Sequence, residues 1–456
     1  MKNSFDTIIV GAGVGGLAIG ALLANSGRKV LVLEKNNQIG GRCMSYKYKG
    51  FTLDLGNHLF SLGDRGPIGE VCRMGGMPDA IEWVLAKTST IQIGDTVKKY
   101  NRKAMMEVLP EGERANMERI FLQAAQTTDD QIDDLWYVPL DKWLEQFTSN
   151  PMAHALVESI STQYFCIPLN ETSAGEFVRC FRDTILSKSS AYPKGGCISI
   201  PKGFAAIVEK NNGEIRLKTR VKKIVIERGA ATGVVTSDGE TLHAPVIISN
   251  ADIKSSLNDL VGEEFFPSDY TEKINRLTYA YQSVMLKVGL EEKVTDDQLR
   301  MYMPEKFSPI LKITEGMHAG IIPNLVGGMI VSPTNYDPEL APAGQQLISF
   351  GTACTMQPDW RRWREVMLDS FFKAYPQSRG KTLWTKLDTP KIVAAYAGEE
   401  GNIIGVGQTT EQIHEKRPGV ESPLKGLYFS SAEAGGHGIG VELAVSSAIE
   451  LFAKLS

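Results

Sequence analysis

Apolar residues come in short blocks near the start of this chain, and their period changes twice within thirty positions. Thr7-Ile8-Ile9-Val10 is a continuous apolar run, short enough for a strand buried on both faces. Gly11-Ala12-Gly13-Val14-Gly15-Gly16 follows at once, and Leu17-Ala18-Ile19-Gly20-Ala21-Leu22-Leu23 then reads as a helix. Lys29-Val30-Leu31-Val32-Leu33 is a second strand, ending at Glu34. The stretch 7–27 carries no charge and has the length of a membrane span. Its glycines and strand-like start argue against one continuous helix. The leader, residues 1–6, has little positive charge and no convincing cleavage site, so a signal peptide is not expected.

Downstream the pattern stays α/β to about residue 95, then turns helical and polar from about 100 to 190. Pro193-Lys194-Gly195-Gly196 marks a break. Strands are expected over 214–219, 221–227, 231–237 and 241–249, with Asp238-Gly239 as a hairpin turn. This resembles a β-meander returning to a parallel sheet. Residues 255–400 mix helices with strands at 281–290 and 346–354. Trp360, Trp363, Met367, Phe371 and Ala374 recur at helical spacing. Arg361, Arg362 and Arg364 beside the tryptophans suggest a membrane-touching helix; a helix packed on a sheet is the favoured reading. A strand at 426–431 and a helix at 441–455 close the chain. There is no internal repeat and no low-complexity segment.

Length and composition narrow the class. The chain has 456 residues, enough for two domains. Hydrophobic content of 43% and charged content of 22% fit a soluble globular protein. A net charge of −4 gives no electrostatic reason to bind nucleic acid. Six scattered cysteines without C-x-x-C fit the reduced thiols of a cytoplasm, and the six histidines lack metal-ligand spacing, so no metal site is expected.

The order strand, Gly-x-Gly-x-x-Gly, helix, strand, acid suits a dinucleotide. Gly11 allows a tight turn, Gly13 admits a pyrophosphate close to the backbone, and Gly16 lets helix and strand approach. The helix N-terminus offers free N–H groups and partial positive charge. Glu34, about twenty residues on, can accept hydrogen bonds from ribose hydroxyls, with Lys35 beside it. Gln38-Ile39-Gly40-Gly41-Arg42-Cys43-Met44-Ser45 follows; Gly41 permits close approach and Arg42 can pair with a diphosphate.

Taken together, these segments resemble the FAD-binding start of the flavin amine oxidase superfamily. Phe51-Thr52-Leu53-Asp54-Leu55-Gly56, Ile200-Pro201-Lys202-Gly203-Phe204, Thr219-Arg220-Val221 and Ser249-Asn250-Ala251-Asp252 are similar to its later segments. So are Glu400-Gly401-Asn402-Ile403-Ile404-Gly405, Arg417-Pro418 and Gly426-Leu427-Tyr428. The likeness is best to the phytoene desaturase, carotenoid isomerase and retinol saturase group. Gly56-Asn57-His58 looks more like retinol saturases than desaturases. The closing Ala434-Gly435-Gly436-His437-Gly438-Ile439-Gly440-Val441-Glu442 departs from the desaturase pattern; it lacks a proline and adds His437 and Glu442. These departures bear on the substrate, not the flavin.

The resemblance implies an α/β fold: a Rossmann-like, glutathione-reductase-type FAD domain with a β-meander, plus a mixed α+β substrate domain. Residues 1–98, 195–258 and 400–456 would form the first, and 99–194 and 259–399 the second. It implies non-covalent FAD on Gly11, Gly13, Gly16, Glu34, Lys35, Gly41, Arg42, Val221, Glu433, Gly440 and Val441. Val221 would meet adenine and Glu433 the ribityl or phosphate. The helix beginning near Gly440 would point its positive end at the isoalloxazine.

The expected activity is hydride transfer between flavin and a C–C bond of an apolar, polyene- or isoprenoid-like substrate. The electron donor or acceptor stays open, as does peripheral membrane contact. His58 and His437 are the candidate proton-transfer groups, each with a packing role as its alternative. Two other functions share the motifs: an amine oxidase releasing hydrogen peroxide, and a non-catalytic binder like the Rab GDP-dissociation inhibitors.

Overall fold

The first apolar run becomes the middle strand of a five-stranded parallel sheet in the computed structural model, which describes residues 5–56, 58–304, 315–355, 359–398 and 401–456. Asn57, Glu400 and residues 1–4, used in the sequence reading, lie outside these. The sheet order is Leu427–Phe429, Val246–Ser249, Thr7–Val10, Val30–Leu33 and Glu214–Arg216. Ile9, Val30 and Val32 pack with Leu17, Ala21, Phe204 and Val445 on one face. Ile8, Val10, Leu31 and Leu33 pack with Val221, Ile224, Val234 and Leu242 on the other. Both faces are covered, so these strands need no polar alternation.

Helices Val14–Asn25, Ser199–Lys210 and Val441–Leu455 lie against the first face. Strands Val221–Glu227, Ala230–Thr236 and Thr241–His243 form the antiparallel meander against the second. The expected strand over 241–249 divides at Pro245. Thr241–His243 ends the meander, and Val246–Ser249 joins the parallel sheet. A proline has no N–H for a ladder and a fixed φ, which suits a change of partner there.

A second, seven-stranded sheet runs Thr382–Asp388, Gln282–Leu290, Gln346–Cys354, Gly328–Val331, Leu299–Met303, Ser89–Ile93 and Thr96–Lys99. All its pairs are antiparallel except Leu299–Met303 with Ser89–Ile93. Helix Trp360–Ala374 seats Trp363, Val366, Met367 and Phe371 on this sheet, beside Val284, Leu286, Ile348 and Phe350. Arg362 turns outward to Glu365 and Asn324, and Arg364 to Thr385. No described helix is long and apolar enough to cross a membrane. Residues 102–187 fold as helices around their own core of Trp136, Trp143, Leu156, Phe165 and Phe177.

Candidate functional site

The glycine turn, the closing helix and the second sheet share one cavity of about 890 Å³. At one end, Gly11 holds φ +102°, a left-handed value that favours glycine. A Cβ on Gly13 would lie 2.4 Å from Asn250 Oδ1, and one on Gly16 would lie 2.3 Å from the Gly11 carbonyl oxygen. Gly13 caps helix Val14–Asn25, which has no acid in its first turn. Val14 and Gly15 reach the cavity wall, so the helix presents bare N–H groups and positive potential there.

Glu34 is buried on the same wall. Its carboxylate accepts hydrogen bonds from Ala12 N and Asn36 N, both at 2.8 Å, which fixes the turn. Lys35 is exposed and also lines the cavity, as do Gly41, Arg42, Val221, Gly440 and Val441. Gly40 N donates to Ala12 O at 2.8 Å, bringing the Gly-Gly-Arg loop against the first glycine turn. The Arg42 guanidinium is the cationic group beside this loop. A cradle whose glycines leave no room for side chains, a bare helix start, a carboxylate and an arginine together fit the pyrophosphate and ribose of FAD.

Glu433 lies elsewhere than expected. It is absent from the cavity wall, buried behind Arg42 with its carboxylate 3.4 Å from the guanidinium. Ile253 N donates to its other oxygen at 2.8 Å. Burial first, then Asp252, raises Glu433 to about 7, against the pull of Arg42. Its geometry orients the arginine.

The two histidines separate. His58 is on the cavity wall, stacked on Phe60 with ring centroids 5.7 Å apart. Its Nδ1 is buried without a hydrogen-bond partner. Burial lowers its pKa to about 4, opposed by Asp54 and assisted by Lys287. The ring is therefore neutral near pH 7. His437 does not line the cavity. Its Nδ1 is 3.0 Å from Glu176 Oε2, and its ring stacks on Trp136 at 5.0 Å. Gly438 N donates to Glu176 Oε1 at 2.8 Å. His437 and Glu176 thus brace the glycine turn before the closing helix.

Two residues gained roles that the sequence reading did not give them. Asn250, inside the recognised Ser-Asn-Ala-Asp segment, packs against Gly11, Gly13, Gly15 and Gly16. Lys287 is fully buried and donates to Gly56 O at 3.1 Å and Ser349 Oγ at 2.8 Å. The motif signalled the first; a lysine within an apolar strand was the available signal for the second.

Glu442, in the first turn of the closing helix, lines the cavity and accepts a hydrogen bond from Leu62 N at 2.9 Å. Burial raises its pKa from 4.5 to about 7. The folded protein then holds a proton that the unfolded chain has released between those values, so this contribution to stability is lost as pH rises through about 7. Glu442→Gln is expected to flatten that slope and to stabilise the flavin-free protein at pH 8 by about 3 kcal/mol. Urea unfolding of both proteins at pH 5 and 8 measures it. His58 pulls the other way below pH ~6.5, but equally in both. Identical pH slopes for the two proteins would refute the assignment.

Beyond the cradle the cavity continues between the second sheet and helix Pro151–Phe165. Met285, Met301, Met303, Met317 and Met329 line it, with Leu325 and Val326. A family model described as "Flavin containing amine oxidoreductase" matches residues 14–450. Prolycopene isomerase from Daucus carota is 23% identical, over 94% of this chain and 76% of its own length. All-trans-retinol 13,14-reductase from Danio rerio is 25% identical, over 95% of this chain and 83% of its own. The crystal structure of an oxidoreductase from Methanosarcina mazei superposes with a TM-score of 0.77 at 20% identity, covering 98% of this chain and 99% of that one.

Proposed function

This chain belongs to the flavin-containing amine oxidoreductase family, and we propose that it acts on a C–C bond of an apolar, polyene- or isoprenoid-like molecule. It is an FAD-dependent oxidoreductase. The reaction would be a desaturation, saturation or isomerisation. The observation that carries this reading is the continuity of one cavity from the glycine cradle into a chamber with a methionine-rich wall. Thioether side chains are flexible and polarisable, which suits a long apolar ligand. The names of relatives that act on prolycopene and retinol support it.

Gly11, Gly13, Gly16 and the helix start would hold the pyrophosphate, with Arg42 beside it and Glu433 orienting Arg42. Glu34 and Lys35 would meet the ribose and its surroundings, and Val221 the adenine. Gly41 would let the loop close over the phosphates. Gly440 and Val441 would set the positive end of the closing helix toward the ring system. Bound flavin supplies the capacity to accept or give a hydride. The chain's own part is to exclude water, align the apolar substrate and manage a proton. The discontinuous domain division also stands as a proposal, with its first boundary drawn back to about residue 88, because Ser89–Ile93 pairs in the second sheet.

His58 is the proposed proton-handling group, since its imidazole lines the chamber and is neutral near pH 7. His58→Gln is expected to keep its flavin and lose about 10²-fold in turnover. Flavin absorbance and steady-state rates check this; an unchanged rate would remove His58 from the mechanism. For the function as a whole, purified protein should carry a flavin spectrum that apolar polyenes perturb. Hydrogen peroxide formed with amines, and no response to polyenes, would favour amine oxidation instead.

A further inference from the structure

His58 is a partition between two cavities. One is the chamber; the other is a small cavity of about 10 Å³ whose wall includes Asp54, Gly56, Tyr192, Lys287 and Ser349. Among the described residues, His58 alone lines both. Its ring lies across Gly56, where an added Cβ would come within 2.2 Å of His58 Cε1. The Gly56 carbonyl on that turn accepts a hydrogen bond from Lys287 Nζ at 3.1 Å. Lys287 follows Met285 by two residues on strand Gln282–Leu290, and so shares its face. Met285 reaches the chamber wall, whereas Lys287 reaches only the small cavity behind the imidazole.

Nothing in the packing of this strand asks for a lysine. Val284, Leu286 and Val288, on its other face, sit in an apolar core. Lys287 is fully buried and is paired across the sheet with Lys386. Its hydrogen bonds go to two neutral oxygens, Gly56 O and Ser349 Oγ. A buried ammonium beside a second lysine is unfavourable, and a well-packed apolar side chain there would cost less. What the charge reaches is the turn that carries His58.

We propose that Lys287 is a positioning residue for His58: it clamps the Gly56 carbonyl, holds the imidazole at the chamber wall and sets a positive charge behind it. This rests on the reading of His58 as the proton-handling group and deepens it. A positive charge beside an imidazole disfavours the imidazolium. Around the ring, burial acts first in that direction; Asp54 favours protonation and Lys287 opposes it. Around Lys287, burial disfavours the ammonium, Asp388, Asp54 and Cys197 favour it, and Lys386 opposes it. Lys386 is itself held by Asp388 and the Tyr46 hydroxyl. The Asp54 carboxylate is engaged by Ser45, Cys197 and Tyr192. Lys287 is therefore the group whose removal changes the charge behind the ring while leaving the chamber wall as it is.

Flavin-loaded protein carrying isotope-labelled histidine is titrated by NMR, and His58→Gln identifies the His58 signal among those of the six histidines. In the unmodified protein the ring is expected to stay neutral until the pH falls toward about 4. Lys287→Met removes the clamp and the charge; Lys287→Gln removes the charge but keeps a donor for the Gly56 carbonyl. Both are expected to raise the midpoint by about one pH unit, and Lys287→Arg to restore it. Ser349→Ala, which takes away one partner but not the charge, should leave it in place. A midpoint that stays put in both Lys287→Met and Lys287→Gln overturns the proposal. So does a midpoint above about 6 in the unmodified protein, a measurement that needs no variant to fold. An equal shift in Ser349→Ala assigns the effect to packing and overturns it as well. A midpoint that moves only with the charge, beside an unchanged turnover in His58→Gln, keeps the clamp and removes His58 from the mechanism.

Discussion

Gly16→Ala protein is expected to purify without colour. Gly16 sits in the first turn of helix Val14–Asn25, where that helix crosses the end of the first strand. An added Cβ would come within 2.3 Å of the Gly11 carbonyl oxygen and 3.0 Å of Asn250 Cβ. Neither neighbour can yield cheaply. Gly11 N is bonded to Leu33 O, and Asn250 N to Val10 O, each at 2.8 Å. The helix must therefore move off the strand, which carries its free N–H groups away from the pyrophosphate position. Overpacking of this kind costs about 3 kcal/mol, and the displaced cradle should hold less than about a tenth of the usual flavin. Gly20→Ala is the matched control. Its Cβ would meet only side-chain methyls, of Ile9 at 3.2 Å, Val208 at 3.4 Å and Val32 at 3.5 Å, so it should stay yellow. Flavin-to-protein ratio and urea midpoints decide the comparison. A yellow, fully stable Gly16→Ala protein would mean that the cradle tolerates bulk at its tightest point.

The glycine cradle was legible because its determinants are local. Strand, turn, helix and acid all lie within residues 7–34, and each follows from spacing and residue type. The likeness to flavin oxidoreductases carried the same reading to the far end of the chain, where the closing helix Val441–Leu455 lies as expected. What pattern could not supply was partnership across long separations. Ser89–Ile93 reads like any short strand, and the sheet that receives it is set by Leu299–Met303, some two hundred positions later. His437 was a titratable group in a glycine turn. Glu176, 261 positions away, and Trp136 hold it off the cavity wall. Glu433 and Arg42 were each read as facing the cofactor, whereas the arginine screens the acid from the cavity.

Asp54→Ala is expected to destabilise the protein by about 3 kcal/mol or more. Asp54 ends strand Phe51–Asp54 and is buried. Its carboxylate accepts from Ser45 Oγ at 2.6 Å, from Cys197 N at 2.9 Å and from the Tyr192 hydroxyl. Ser45 Oγ in turn accepts from Ile198 N at 3.1 Å. One side chain therefore ties the strand after the Gly-Gly-Arg loop to the turn that begins helix Ser199–Lys210. Alanine strands these donors in a dry interior, and each lost partner costs about 1–3 kcal/mol. Cys43, on the cavity wall directly after Arg42, donates to Cys197 O at 3.4 Å, so loosening this turn should also lower flavin occupancy. Asp54→Asn preserves an acceptor and most of the shape, and should lose roughly half as much. Tyr192→Phe removes one donor together with its need for a partner. Combined with Asp54→Ala, it should cost less than the sum of the single changes, because the alanine protein no longer has an unpaired phenol. Urea unfolding of the four proteins tests this; a loss below about 1 kcal/mol for Asp54→Ala, or strict additivity with Tyr192→Phe, would show that the carboxylate is not the tie between cradle and helix.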